Sequence, residues 1–395
     1  MATKKIIVII LIVILVLVGA GAFIYLQGPT EGNNTNHTNN LNLEIKSLTK
    51  VKQIDVTPIV DGEKILGHRP DVVKINDKLY ILYDYPENKK TNVFLLVLNK
   101  DLSQDSFASE LFSGGEGMPT DIRTATDGEN FFYGIENVKT QEDICTLPNQ
   151  LGLAIYDTKN ISSVLLKENI ANGAPAFALA TTCPPGVLDT SFAVDDPTPF
   201  YYNSNYCLGI RKNTSPPTLQ IYCFDLDGES TIANEINFSS LVGETKALSQ
   251  SAITIIDNEP WLITGAATGP PSPENSSSIY AIKLSSSLSE GEEAIEIVPA
   301  QGNYFTRVVS AKQYGNNVLI TYVKQSNDRS NSRSKVYLAA FDFTKNFEKV
   351  AEAVVLEQSI ADDHMPLEII GDKVYIFHQL NDSDSAIVAE VFDVQ

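Results

Sequence analysis

Six short β-patterned runs recur along the chain, each ending in a bulky apolar residue, a polar residue and usually another apolar one. They are TNVFLLVLNK (91–100), LGLAIYDT (151–158), TLQIYCFDL (218–226), SIYAIKL (278–284), KVYLAAFDF (335–343) and AIVAEVFDV (386–394). The polar punctuation falls at Asn99, Asp157, Asp225, Lys283, Asp342 and Asp393, at intervals of 58, 68, 58, 59 and 51 residues. Such a period is too long for a solenoid coil and fits a several-stranded module repeated around an axis.

Upstream of each run stand a second apolar segment, a turn and a third segment, so each module reads strand, turn, strand, loop, strand. In the first module PDVVKI (70–75), Asn76-Asp77-Lys78 and LYILYDY (79–85) precede the punctuated strand; in the last PLEII (366–370), Gly371-Asp372-Lys373 and VYIFHQL (374–380) do so. Asn, Asp and Gly recur at the turn, and the strands are rich in Val, Ile, Tyr and Phe. The pattern predicts an all-β domain, a six-bladed β-propeller over residues 48–395. A fourth strand follows the punctuated one in SVLLKENI (163–170) and KVAEAVVLEQ (349–358), but the last module runs out at Gln395. VKQIDVTPIV (51–60), ahead of the first module, is available as the missing outer strand, and closing the ring this way removes two open sheet edges. The long 68-residue interval holds an insertion, Ala171 to Asp195, apolar enough to serve as a lid, a binding feature or a plug against one blade.

Ahead of the propeller the pattern changes. Lys4 and Lys5 precede 21 uncharged residues, Ile6 to Leu26, about 32 Å as a helix at ~1.5 Å per residue. Residues 1–27 thus read as a cytoplasmic stub and a single membrane anchor, the charge bias placing the rest outside the cytoplasm. A cleaved signal peptide is the competing reading, since Ala20-Gly21-Ala22 has the form a signal peptidase accepts. Residues 28–47, polar and Asn-rich at their start, form the expected flexible stalk.

Export agrees with seven Asn-x-Ser/Thr sequons, at Asn33, Asn36, Asn160, Asn213, Asn237, Asn275 and Asn381. It also agrees with four cysteines. Cys207 and Cys223 sit on consecutive strands around one turn and should bridge, which leaves Cys145 to pair with Cys183. Without Lys4 and Lys5, 27 basic residues face 49 acidic ones, a net charge of −22. Nucleic acid is therefore excluded as a partner held by simple electrostatics, and a protein, a glycan or a cation fits better.

In a propeller the first strand of each blade lines the central channel, so the starts of those strands converge on one mouth. That places His68, Arg69, Asp71, Asp121, Arg123, Asp196, Arg307, Asp363 and His364 around it, with His68 and Asp363-His364 on neighbouring blades. No cofactor is expected, although histidine and aspartate are suitable ligands for a divalent cation, and paired carboxylates suit acid/base chemistry. The same residue types also cap turns and pair with arginines such as Arg69 and Arg123. No HExxH, GxSxG, P-loop or calcium-loop motif occurs in the sequence.

RPDVVKINDKLYILYDYP followed by NVFLLVLNKDLS resembles a blade of the sialidase-like and related glycosidase propellers. The third-strand endings are also similar to quinoprotein-type repeats such as those of outer-membrane assembly scaffolds. What the resemblance implies is the propeller superfold. The Ser-x-Asp-x-Gly-x-Thr-Trp box of sialidases is absent and Trp261 is the only tryptophan, so no catalytic residue is carried over. Three functions are expected in turn: a membrane-anchored binding or interaction module for a protein, glycan or ion; a carbohydrate-active hydrolase or lyase using Asp71, Asp121, Asp196 and Asp363; and a structural component of a cell envelope.

Overall fold

The computed structural model describes residues 44–87, 90–113, 117–139, 149–159, 162–175, 193–194, 197–212, 217–243, 247–272, 275–302, 304–326, 334–359, 364–380 and 386–395. Among them no helix is long and apolar enough to cross a membrane. The expected anchor at 6–26 lies outside the described residues, as do the stalk to residue 43, Cys145, Cys183 and the sequons at Asn33, Asn36, Asn160, Asn213 and Asn381.

Among the described residues the strands assemble into six blade sheets, one per expected module and antiparallel except for one parallel pair in blade 2, and a separate two-stranded hairpin, Ile59–Val60 with Glu63–Lys64. Each of the six punctuated runs is the third strand of its sheet, as Lys90–Asn99, Asn149–Asp157, Thr218–Phe224, Asn275–Leu284, Ser334–Asp342 and Ala386–Val394. The inner strands are His68–Ile75, Gly117–Thr126, Thr198–Tyr202, Ala247–Ile256, Tyr304–Tyr314 and Leu367–Ile370. The ring closes as the sequence predicts. Leu48–Asp55 runs antiparallel to Ala386–Val394, from Leu48 opposite Val394 to Asp55 opposite Val388, and supplies the sixth blade's fourth strand. Packing begins slightly earlier: Ile45 is buried, and the Lys46 and Ser47 amides donate to the Gln395 carbonyl.

The core is a set of apolar layers between neighbouring blades. Ile387, Ala389 and Val391 pack against blade 1 with Leu79, Ile81 and Tyr83, while Phe392 of the same strand packs against Val336 and Leu338 of blade 5. A strand with both faces buried must be apolar at successive positions, and this produces the near-continuous runs in the sequence. Burying each large side chain is worth roughly 1.5–3 kcal/mol, so the repeat of apolar runs is the fold's main driving force.

The punctuation residues begin the turns. The Asp157 carboxylate accepts from the Lys159 amide, Asp225 from the Glu229 amide, and Asp342 from the Thr344 amide and hydroxyl. Blade 4 differs: Lys283 pairs with Glu259 at 2.7 Å, and Ser285, two residues on, accepts from the Ser289 and Glu290 amides instead. The expected Ala171–Asp195 insertion starts as strand, because the outer strand of blade 2 runs from Ser162 to Pro175 and pairs in parallel with Ala193–Val194. Cys207 and Cys223 face each other across adjacent strands and form the expected disulfide.

One acid interrupts the apolar pattern of the last strand. Glu390 is fully buried, and its carboxylate receives Lys50 at 2.9 Å and the Gln53 amide at 2.8 Å, both from the closing strand. His378 lies 3.3 Å away on the adjacent strand. Burial alone would raise the Glu390 carboxyl, but the hydrogen bonds from His378, Lys50 and Gln53 and the Lys50 charge leave it below its ordinary value of 4.5. A carboxylate lowered in the folded state contributes stability above its unfolded value, and that contribution fades as pH falls through the folded one. Glu390→Gln is therefore expected to lose less of its thermal midpoint than wild type between about pH 5 and about pH 3. Parallel curves for the two proteins would show that the carboxylate does not secure the closure.

Candidate functional site

The mouth is built by irregular strands. In blades 1, 2, 4 and 5 the inner strand slips register by one residue against its neighbour, between His68 and Asp71, Thr120 and Arg123, Leu248 and Ser251, and Val308 and Ser310. A bulge of this kind re-aims the side chain that follows it. The following residues are Asp71, Arg123, Ser251 and Ser310, so the same structural device precedes a polar residue on four inner strands. Arg69, inside the first bulge, holds a positive φ of 49°.

These groups bridge the blades. Asp71 is buried; one carboxylate oxygen accepts from the Val72 amide at 2.9 Å and the other from the Thr124 amide of blade 2 at 2.6 Å. Ser310 accepts from the Leu367 amide of blade 6 at 3.4 Å, and the Thr198 hydroxyl of blade 3 donates to the Ser251 carbonyl of blade 4 at 3.3 Å. Glu368 of blade 6 takes the Lys74 amide of blade 1 at 2.9 Å and pairs with Lys312 of blade 5. Ser277 and Thr306 link blades 4 and 5 through paired hydroxyls and the Thr306 amide, at 2.7 Å and 2.5 Å. The seam between blades 2 and 3 is bridged lower down, where the Tyr206 hydroxyl donates to Asp127 at 2.5 Å.

Burial pushes the Asp71 carboxyl above its ordinary value; the charge of Arg123, the Thr124 and Val72 amides and the charge of Lys312 pull it back without overcoming burial. A carboxylate spent on two backbone amides in a buried setting is a brace for neighbouring strands. The other expected mouth residues are less concentrated. Arg123 and His364 are buried, and His68 and Arg69 are half-buried beside blade 1's bulge. Arg307 is half-buried, donating to the Gln325 side chain at 3.2 Å. Asp121 lies on its strand ahead of Arg123, while Asp196 and Asp363 lie outside the described residues. Among the described residues no three His, Cys, Asp or Glu side chains are grouped to hold a metal ion, so the His68 and His364 pair is not joined there by a carboxylate set.

Sequence reasoning missed most of the bridging residues. Thr321, within the apolar run VLITYV, donates to the Met365 carbonyl of blade 6 at 2.9 Å, and Arg211 donates to the Leu248 carbonyl of blade 4 at 2.9 Å. The available signal was a lone polar residue in a strand otherwise buried on both faces. Gly265 serves the same region by its lack of a side chain: a Cβ there would stand 2.1 Å from the Ser249 hydroxyl and 2.5 Å from the Thr306 carbonyl.

No protein-family model matches the chain, and no curated protein matches it in sequence. Solved structures do share its fold. The hemagglutinin-neuraminidase ectodomain of parainfluenza virus 5 is 10% identical, with a TM-score of 0.52 over 88% of this chain and 86% of that one. The endosialidase of phage phi92 is 10% identical, with a TM-score of 0.52 over 88% of this chain and 69% of that one. The chain is a six-bladed β-propeller of the architecture that sialidases use, and identity this low extends the likeness no further than the fold.

If Asp71 braces the ring, Asp71→Ala leaves two buried amides without acceptors, at about 1–3 kcal/mol each. The expected loss in chemical denaturation is therefore about 2–6 kcal/mol, with Asp71→Asn, which keeps one acceptor, losing less. An unchanged midpoint in both variants would place the Asp71 side chain in open solvent.

Proposed function

We propose that the protein is a membrane-anchored, extracytoplasmic binding module whose ligand, a glycan or a protein, meets the mouth formed by the strand starts. One observation carries this reading: Asp71, a carboxylate that the sequence offered for acid/base work, is bound to two backbone amides. Acid/base work on a glycoside needs carboxyl groups within reach of the scissile bond. The polar bridges hold the inner strands as a rigid platform, a setting in which a few side chains and the connecting loops select a ligand at low entropic cost. His68 and Arg69, half-buried at one rim, are the first candidates for contact.

Attachment through residues 6–26 and exposure of the propeller outside the cytoplasm belong to the same proposal. They are supported by the uncharged run behind Lys4 and Lys5 and by the Cys207–Cys223 disulfide, a bond that persists in oxidising compartments. Asparagine-linked glycans fit this placement, and Asn237 is exposed at the end of a strand.

The test uses the full chain in detergent, screened against immobilised glycans and assayed in parallel on aryl glycosides and polysaccharides. Saturable binding without turnover is expected, weakened at least about tenfold in His68→Ala/Arg69→Ala, which is ~1.4 kcal/mol. Glycoside cleavage that disappears in Asp121→Asn or Asp363→Asn would replace this reading with that of a carbohydrate-active enzyme.

A further inference from the structure

The strand that closes the ring is the least buried of blade 6. Of the eight residues of Leu48–Asp55 one is buried, Leu48, against seven of the nine in its neighbour Ala386–Val394. Little apolar area ties it down, and an element with few buried contacts opens at lower free energy than the core around it. What the strand does supply is two polar side chains for one buried acid. Lys50 and Gln53 are three residues apart, so in a regular strand they would point to opposite faces. The register slips by one residue instead: Lys50 lies opposite Phe392, Lys52 opposite Val391 and Gln53 opposite Glu390. Val51 is the extra residue, 49% exposed, and the bulge turns both Lys50 and Gln53 to the face that carries Glu390.

The groups that meet the carboxylate come from three strands. Lys50 pairs with it at 2.9 Å and also donates to the Val355 carbonyl of blade 5's outer strand, Glu348–Ser359, at 3.2 Å. The charged residues of that outer strand are engaged elsewhere: Lys349 pairs with Glu352 at 2.9 Å, Glu357 with Lys335 at 2.8 Å, and Glu348 lies at the strand's start opposite Asp342. From the adjacent strand of blade 6 comes His378, buried beside the acid. Its Nδ1 is 2.9 Å from the Gln379 carbonyl, which can only accept, so Nδ1 carries a hydrogen and Nε2 donates to Glu390 only from an imidazolium. One carboxylate thus serves an ammonium that belongs to the closing strand and a ring that stays with the core. Neutralising it takes the ion pair from Lys50 and leaves an imidazolium buried without the anion it faces, and a buried charge that loses its partner is strongly destabilising.

We propose that this cluster is an acid-sensitive latch: a proton on Glu390 detaches Leu48–Asp55 from Ala386–Val394 and opens the ring at one outer edge while the third strands stay folded. Release brings water to Lys50 and His378 and ends their burial without a counter-charge. The direction is fixed by the acid. Its carboxyl titrates below its ordinary value of 4.5, so the latch is shut at neutral pH and lets go as pH falls through that lower value. Opening leaves the outer backbone groups of Ala386–Val394 unpaired, an edge that another strand can join. The device does not depend on what the mouth binds.

Amide exchange of the full chain in detergent, expressed as protection factors at about pH 6 and about pH 3, tests it. Between the two, the Leu48–Asp55 amides are expected to lose at least about tenfold more protection than those of the third strand Ser334–Asp342, or ~1.4 kcal/mol. Glu390→Gln, which cannot ionise, should show the weaker protection of the closing strand already at about pH 6, with little further change. Lys50→Met removes the cation that favours the charged carboxyl, so its closing strand is expected to let go at higher pH than the wild type's. The Lys50 side chain is 40% exposed, and this variant carries the test should Glu390→Gln fail to fold. Equal loss of protection in the two strands, a closing strand that stays protected at about pH 3, or release of Lys50→Met at the wild-type pH would each overturn the proposal.

Discussion

Blades arranged around an axis meet only through side chains, because the backbone ladder of each sheet runs outward and ends at the inner strand. Polar groups that reach across a seam to the next blade's backbone therefore set the ring's dimensions. Asp71 to the Thr124 amide, Ser310 to the Leu367 amide and Glu368 to the Lys74 amide are three such links, made over distances of 2.6 to 3.4 Å. Each also satisfies a backbone donor at a seam, buried at Leu367, half-buried at Thr124 and exposed at Lys74, and leaving a buried one without a partner costs about 1–3 kcal/mol. The apolar layers between blades supply most of the free energy, but they are not directional. The bridges select one packing among many that would bury the same area.

This constraint accounts for the polar residues along the seams, where among the described residues no three His, Cys, Asp or Glu side chains are grouped to hold a metal ion. Asp71 and Glu368 have backbone donors to accept from, and Lys312 has Glu368. The ring closure follows the same logic at the outer edge. Leu48–Asp55 completes the last blade, and its Lys50 and Gln53 meet the buried Glu390. A buried acid without such partners would be strongly destabilising. At the edge of this rigid ring His68 and Arg69 are half-buried.

Much of the architecture was legible because burial on both faces leaves a strong trace. Runs such as VFLLVL and VYLAAF fit strands buried on both faces, and the acids Asp157, Asp225 and Asp342 that end three of the runs accept from amides of the turns that follow. The closing strand followed from counting what blade 6 lacked. Blade 4 shows the limit, since Lys283 keeps the spacing while Ser285 makes the turn. The bridges were harder to read. A one-residue bulge leaves no mark in composition, and whether Asp71 turns toward a neighbouring amide or toward solvent depends on that slip. Thr321 and Ser277 look like ordinary strand residues until the adjoining blade is in place.

Amide hydrogen exchange, resolved to single residues, addresses the bridged ring most directly. The expected result is that the Lys74, Thr124 and Leu367 amides exchange as slowly as those in the middle of the third strands, opening only with global unfolding. Thr124 should become fast in Asp71→Ala while the third strands stay protected. Exchange of all three amides at loop-like rates in the wild-type protein would contradict the claim that side chains crossing the seams hold the ring.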